Sequence, residues 1–365
     1  LGIHLFFDNE NFISSISASQ VKEIYLPSFM YKMDNLNTNS ITGFATHDTG
    51  VSSARDEKNI AQSVPVLLYH GIVEKPDGHN VLLEDFRDQM FALKDAGYQT
   101  ITLEQFHDHV KYGKELPENS FLITFDDGRK DSYYPADPIL EALDYHAVIF
   151  VITKYSIGEE RAYYLGESEL KKMIQSGRWD VQSHSYDGHG HPVIDSDGTP
   201  GYFFSDRLWL DDEQRIETEE EYNLRIEDDL SRSKKDIEDS TKRDVIGFAF
   251  PFGEIGERLP EFKDSDLHEN VENIYPLAFI QYSPSRGFAY NIPMEDSFLI
   301  KRINVNPRMS SSNLLKILET GKAKKLPYSD DFESYDGWIK GWGRLTFRQG
   351  IMAIGENRQN DNLVF

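Results

Sequence analysis

From residue 64 onward the chain alternates short apolar runs with amphipathic stretches. Val64–Tyr69 is a continuous apolar run of strand length, the pattern of a strand buried on both faces. Phe86, Met90 and Leu93 then recur at helical spacing until Gly97 closes the helix. Thr102 followed by Gln105 is a capping-box signature that opens a second helix, Leu103–Tyr112. Beyond it the pattern predicts a strand at Phe121–Phe125, a helix at Pro138–Leu143, a strand at Ala147–Ile152, a helix at Glu167–Gln175 and a strand at Trp179–Ser183. A polar insertion from His191 to Lys242 contains an acidic helix whose apolar face is marked by Ile226, Leu230 and Ile237. Strands follow at Ile246–Phe250, Pro276–Gln281 and Leu299–Val305, with a last helix at Ser311–Leu318. At least six strands alternating with helices favour a parallel, barrel-like α/β domain over an open sheet.

The flanks read differently. Residues 1–62 are expected to form an N-terminal arm and linker, because Asn35–Asn59 is rich in Asn, Ser, Thr, Gly and Asp. Residues 63–325 make the α/β domain. From 326 to 365 the character shifts to Phe332, Trp338, Trp342, Leu345 and Phe347 spaced by Gly and Asp. That pattern is expected to be the start of a β-sandwich, with the chain ending at Phe365 before such a domain is complete, as in a fragment.

Composition then removes function classes. Hydrophobic residues are 39% of the 365 and aromatics 13%, enough to bury a core. Acidic residues outnumber basic ones 62 to 38, giving a net charge of -24, which repels phosphate backbones and anionic lipid. Nucleic acid is therefore not an expected partner. The chain has no cysteine, so disulfide frameworks, thiolate metal sites and a cysteine nucleophile drop out, and any metal must be held by His, Asp or Glu. No apolar run is long enough to cross a membrane. The short apolar start Leu1–Phe7 is expected to be the end of a removed hydrophobic segment, a hint of export.

Three groups of residues carry candidate chemistry, and each follows a predicted strand. Asp126, Asp127 and Gly128 end the strand Phe121–Phe125. Side chains alternate along a strand, so two adjacent carboxylates point in different directions, one free to bind a metal and the other to act as a base. The competing reading is a solvated Asp-Gly turn. Ser183 to His191 holds three imidazoles, His184, His189 and His191. His184 and His189 are not on one helical face, so a loop through Gly188 must fold both rings onto one ion. Imidazole plus carboxylate is the ligand set of catalytic zinc or a similar divalent metal. A surface histidine loop is the bland alternative. His70, in Leu68–Ile72, is a lone histidine of the kind that is often structural. Its place at the end of a strand brings it to the same barrel rim as the other two groups.

These residues resemble the signatures of the polysaccharide deacetylases, the NodB homology domain of carbohydrate esterase family 4. Thr124–Gly128 is similar to the first signature; the resemblance implies that Asp126 is the general base and Asp127 a metal ligand. His184, Ser185 and His189 resemble the second, implying that the two histidines complete the metal site. Four residues separate these histidines where most members have three, and this departure resembles the subgroup that deacetylates poly-N-acetylglucosamine. That subgroup also has a Tyr-His-x-Ile element, matched by Tyr69, His70 and Ile72, which implies that His70 is the general acid in a circularly permuted domain. Phe250–Gly253 resembles the third signature, a groove wall. The arginine that many members carry just upstream is not evident, and Arg302 in the strand Leu299–Val305 is the candidate substitute charge.

The resemblance implies a distorted (β/α) barrel of the NodB type and a metal-dependent hydrolase that removes N-acetyl groups from a polysaccharide containing N-acetylglucosamine. Tyr69, Tyr186, Pro251 and Phe252 are the expected substrate-binding residues, with Tyr133, Tyr134 and Phe203 as further candidates to stack on sugars. The implied cofactor is a divalent ion, zinc first, with cobalt or nickel as alternatives. The implied place is extracellular or at the cell surface, with a further carbohydrate-active domain beyond the C-terminus. The rival readings are an O-acetyl esterase on acetylated glycans and a non-catalytic glycan-binding protein.

Overall fold

The computed structural model describes residues 60–159, 161–256, 264–282, 289–293 and 297–321, and the backbone of two strands at 344–348 and 351–355. Eight strands make the main sheet: β1 (Val66–Tyr69), β2 (Gln99–Thr100), β3 (Ser120–Phe125), β4 (Ala147–Val151), β5 (Trp179–Ser183), β6 (Gly247–Ala249), β7 (Leu277–Tyr282) and β8 (Leu299–Asn304). Every neighbouring pair is parallel. β1 pairs with β8 on one side, Leu67 opposite Ile303, and with β3 on the other, Leu67 opposite Ile123. That double pairing closes a seven-stranded ring in the order β1, β3, β4, β5, β6, β7, β8, with β2 outside it on the edge of β3. The expected barrel is what the chain forms.

Alternation along these strands sorts side chains into two layers. Leu67, Tyr69, Ile123, Phe125, Ile149, Val151 and Val181 belong to the core between barrel and helices. Val66, Leu122, Val148, Phe150, Ala249, Phe279 and Ile300 belong to the barrel's own filling. The helices that cover the ring are α1 (Leu83–Asp95), α2 (Leu103–Tyr112), α3 (Lys130–Leu143), α4 (Glu167–Ser176), α5 (Glu219–Thr241), α6 (Asp264–Glu272) and α7 (Ser311–Thr320). Their inner faces are those the periodicity marked: Phe86, Met90 and Leu93 on α1 and Ile226, Leu230 and Ile237 on α5 are all fully buried. α2 is different, because Leu103, Phe106 and Val110 join the interior filling. Its Leu103 amide donates to Asp180 near the start of β5, so α2 plugs the end of the barrel where strands begin. The opposite end, where strands finish, is left for a site.

Local details follow from, or depart from, the sequence pattern for physical reasons. The capping box expected of Thr102 and Gln105 forms at α2, and Thr218 with Glu221 starts α5 in the same way. α3 begins at Lys130 rather than Pro138 and runs through Pro135 and Pro138. Each proline removes one intrahelical bond, but Ser132, Ala136, Ile139, Leu140 and Leu143 pack along one buried face that holds the helix through them. Beyond the barrel, β9 (Arg344–Arg348) and β10 (Ile351–Gly355) pair antiparallel, with Leu345 opposite Ile354 and Phe347 opposite Met352. The expected N-terminal arm up to residue 59, and Phe332, Trp338 and Trp342, lie outside the described residues.

Candidate active site

The inward register that places Leu122 in the barrel continues to Thr124 and Asp126, so the Asp126 carboxylate is aimed into the mouth and fully buried. Its amide donates to Tyr69 O at 3.2 Å, tying the end of β3 to the end of β1. The chain then turns sharply through two left-handed residues, Asp127 at φ 72° and Gly128 at φ 69°. Only glycine fits at the second position, because a Cβ there would lie 2.9 Å from the Val151 side chain. A left-handed aspartate is uncommon, and such strain concentrates at functional sites.

This turn carries Asp127 to two imidazoles. Asp127 Oδ1 lies 3.5 Å from His184 Nε2 and 3.3 Å from His189 Nε2. It is buried without a hydrogen-bond partner. Among the described residues these three form one group whose ligand atoms all lie within 4.8 Å of one another. Donors bound to one ion at ~2.1 Å sit ~3.0–3.4 Å apart, so the set fits a divalent cation. His184 Nδ1 is 2.8 Å from Ala249 O, which assigns its hydrogen to Nδ1 and leaves Nε2 free as a donor atom.

His184 leaves β5 inward, and Ser185 at φ 81° turns the chain out again. The loop to His189 then passes close over Phe204, because a Cβ on Gly188 would lie 2.4 Å from that ring. Ser185 O accepts from the Thr153 amide and Tyr186 O from the Lys154 amide, both at 3.1 Å. From the other side, Asp229 on α5 accepts the Tyr186 amide at 2.9 Å and the Asp187 amide at 2.8 Å.

The missing upstream arginine has a geometric counterpart. Arg302, pointing into the barrel from β8, forms a bidentate pair with Asp126, Nη1 to Oδ1 at 2.6 Å and Nη2 to Oδ2 at 2.8 Å. Both side chains are fully buried, and the guanidinium lies 5.3 Å from the Phe150 ring centroid. The sequence pointed to Arg302 without a contact, since 176 residues separate it from Asp126.

Charge follows from these contacts. Burial pushes the Asp126 carboxyl up, but the charges of Arg302 and His184 outweigh it and hold it below the ordinary range. Asp127 is likewise raised by burial and held well below its usual value by His184 and His189. On His184, burial opposes a proton while Asp126 and Asp127 favour one, and the net shift is upward. The same two carboxylates that favour a proton on His184 favour a cation in its place. His70 is half-buried beyond the end of β1, and burial pushes its pKa down against the opposing pull of Asp126 and Asp127. The chain next to it is closely covered: a Cβ on Gly71 would lie 2.4 Å from the guanidinium end of Arg129, which would have to move aside, and the Gly71 amide is held by Asn80 Oδ1 at 2.9 Å.

The four expected sugar contacts are placed unequally. Tyr69 points outward into the core, its hydroxyl donating to Gln89 at 2.8 Å and its ring against Phe86, so only its backbone reaches the rim. Pro251 is buried. Tyr186 is half-buried, its ring covered by the Arg232 guanidinium 3.6 Å from the centroid. Phe252, in a left-handed conformation at φ 59°, lies beside the triad, 4.3 Å from His189 and stacked 4.7 Å from His191. Asp229 and His191 were not singled out for these places by the sequence. The signal for Asp229 was an acid set between Ile226 and Leu230 on the apolar face of α5.

Known proteins resemble parts of this chain. Residues 113–266 match the family model described as polysaccharide deacetylase, a span that takes in Asp126, Asp127, His184, His189 and Asp229 and leaves out His70 and Arg302. The poly-beta-1,6-N-acetyl-D-glucosamine N-deacetylase of Escherichia coli (strain K12) is 26% identical over 190 residues, 48% of this chain and 28% of that protein. The protein of the same description from Staphylococcus aureus (strain MRSA252) is 28% identical over 193 residues, 52% of this chain and 59% of its own. A putative polysaccharide deacetylase, YxkH, of Bacillus subtilis (strain 168) is 37% identical over 124 residues, 34% of this chain and 43% of its own. The matches thus span between 28% and 59% of the length of these relatives. Among solved structures, a de-N-acetylase from Aggregatibacter actinomycetemcomitans superposes with a TM-score of 0.60 at 19% identity, covering 70% of this chain and 99% of that one. IcaB from Ammonifex degensii superposes at 0.54 with 21% identity, covering 70% and 97%. These two likenesses establish the fold.

Proposed function

We propose, from the match of residues 113–266 to the polysaccharide deacetylase family model, that this chain is a metal-dependent hydrolase that removes acetyl groups from the nitrogen of N-acetylglucosamine units in a polysaccharide. The substrate proposed is a β-1,6-linked poly-N-acetylglucosamine, the polymer named in the descriptions of the E. coli and S. aureus relatives. The observation that carries the reading is the meeting of Asp127, His184 and His189 beside an Asp126 clamped by Arg302.

Asp127 Oδ1, His184 Nε2 and His189 Nε2 would hold the ion, with zinc preferred and cobalt or nickel accepted by the same donor types. The chemistry supplied there is Lewis acidity, which draws charge from an acetyl carbonyl and acidifies water. Asp126, ionised because Arg302 holds it so, takes the proton of the attacking water. His70 gives a proton to the departing amine nitrogen, so acetate and a free amino group leave together. Its half-buried place beyond the end of β1, where the charges of Asp126 and Asp127 reach it, supports that role. The oxyanion donor is sought at Asp127–Arg129, because Asn80 already engages the Gly71 amide. Phe252 and His191 form an aromatic wall suited to one sugar face. A polymer of this kind is met outside the cell, which supports an extracellular or cell-surface place, and the cysteine-free composition agrees with it. Residues 326–365 are proposed to open a β-rich, carbohydrate-associated region, with β9 and β10 as its first hairpin.

The test separates the two proton carriers from the metal ligands. Asp126→Asn and His70→Gln should each lower kcat for acetate release from N-acetylglucosamine oligomers by ~10²–10⁴ while zinc affinity stays within about twofold of wild type. Unchanged turnover in either variant removes that residue from the mechanism.

A further inference from the structure

The two histidine ligands stand five positions apart, and no helix or strand spans the residues between them. Their relative position is therefore set by what holds the loop. Its inner carbonyls, Ser185 O and Tyr186 O, are fixed by the Thr153 and Lys154 amides. Its next two amides, Tyr186 and Asp187, converge on one side chain, the carboxylate of Asp229, with one oxygen for each. Hydrogen bonds from backbone amides to an ionised carboxylate are short and about twice as strong as neutral ones. Asp229 is 4% exposed, so this is an acid placed in a core position where burial without partners would be strongly unfavourable. Neighbouring contacts act on the same segment: Lys154 Nζ pairs with Asp187 at 2.6 Å, and Arg232, one turn along α5 from Asp229, covers the Tyr186 ring.

We propose that Asp229 is a positioning residue for the metal centre: helix α5, part of the chain's polar insertion, sets the His184–His189 loop through the paired amides of Tyr186 and Asp187, so that both Nε2 atoms face Asp127. The inference rests on the metal-centre reading above. It assigns the insertion a function in ion binding, beyond covering the barrel. Removing one carboxylate oxygen as an acceptor frees one amide and loosens the approach of His189, while Asp127 itself stays untouched.

The experiment is zinc affinity of the full chain, measured by competition with a chromophoric chelator, for wild type, Asp229→Asn and a control. The control is Glu217→Gln, which weakens another buried ion pair of the insertion, that with Arg225, and leaves both Asp229 oxygens on the loop amides. Asp229→Asn should bind zinc 10- to 100-fold more weakly, with amide hydrogen exchange faster at Tyr186 and Asp187, while Glu217→Gln keeps wild-type zinc affinity. Equal affinity in Asp229→Asn and wild type overturns the proposal, and so does a parallel loss in Glu217→Gln, which traces the effect to folding of the insertion. Absence of zinc binding by wild type overturns this proposal and the metal-centre reading together, so the two failures are distinct. Should Asp229→Asn not fold, exchange at Tyr186 and Asp187 in the wild-type protein decides: slow exchange supports the clamp, and exchange as fast as in an exposed loop overturns it.

Discussion

Arg302 and Asp126 are both removed from water, and their two parallel bonds satisfy a carboxylate that, as the proposed base, has to stay ionised. Truncating one member of a buried pair leaves the other charge uncompensated, which typically destabilises by ~3–5 kcal/mol. Arg302→Met should therefore lower the free energy of unfolding by about that much and abolish turnover. Arg302→Lys, which keeps the charge and loses the planar fork, should retain more stability and still lose most of kcat. Denaturant unfolding together with acetate release checks both variants; wild-type turnover in Arg302→Lys would show that the bidentate geometry has no part in orienting the base. At this scale the sequence indicated which carboxylates and imidazoles come together, because they stood at strand ends. It did not reveal where each side chain points. Tyr69 shows the difference: it was expected to bind substrate, yet period-2 alternation along β1 sends its side chain outward, and its ring lies against Phe86.

Helix α5 is the element whose role was least legible. Its apolar stripe was plain in Ile226, Leu230 and Ile237, whereas the partners of Asp229 lie 42 and 43 positions earlier in the chain. Contacts across that distance leave no periodic trace. Burial pushes the Asp229 carboxyl up to about 6, against the opposing pull of the Asp187 and Tyr186 amides and the charge of Arg225, with the Asp187 carboxylate adding to the rise. A carboxyl raised in the folded state binds more protons there than in the unfolded chain between pH ~4 and ~6. Its contribution to stability therefore falls as pH rises through that window and levels off above it. In the metal-free protein, the stability of wild type relative to Asp229→Asn should decline over this range by at most about 3 kcal/mol, because each tenfold change in proton affinity is worth ~1.4 kcal/mol. A wild-type-minus-variant difference that stays flat from about pH 4 to 7 would show that Asp229 titrates normally. By contrast, most of the β/α alternation was legible because buried parallel strands need continuous apolar runs, although the helix α6 was not expected. β2, with only two residues, was too short to leave such a run.

For the molecule as a whole, the acidic balance acquires a use once the proposed product is considered. Deacetylation converts neutral amides to amines, so the polymer becomes cationic as the reaction proceeds, while the chain carries a net charge of -24. Binding of a partly deacetylated oligomer should weaken several-fold between about 20 and about 200 mM salt as the Debye length shrinks to ~8 Å and below, while binding of the fully acetylated oligomer changes little. Equal salt dependence for the two would remove charge from product retention. Barrel closure itself was within reach of the sequence as a class, though the count of seven ring strands was not, since closure depends on the β1–β3 and β1–β8 pairings and these are non-local. Among the described residues no helix is long and apolar enough to cross a membrane. The central claim, that Asp127, His184 and His189 hold the ion on which amide hydrolysis depends, is tested most directly by acetate release from N-acetylglucosamine oligomers. The metal-stripped protein is assayed before and after adding zinc, cobalt or nickel, with Asp127→Ala beside it. Activity absent after stripping, restored by metal in wild type and not in Asp127→Ala is the predicted result; no release under any metal, or equal release by the variant, would contradict it.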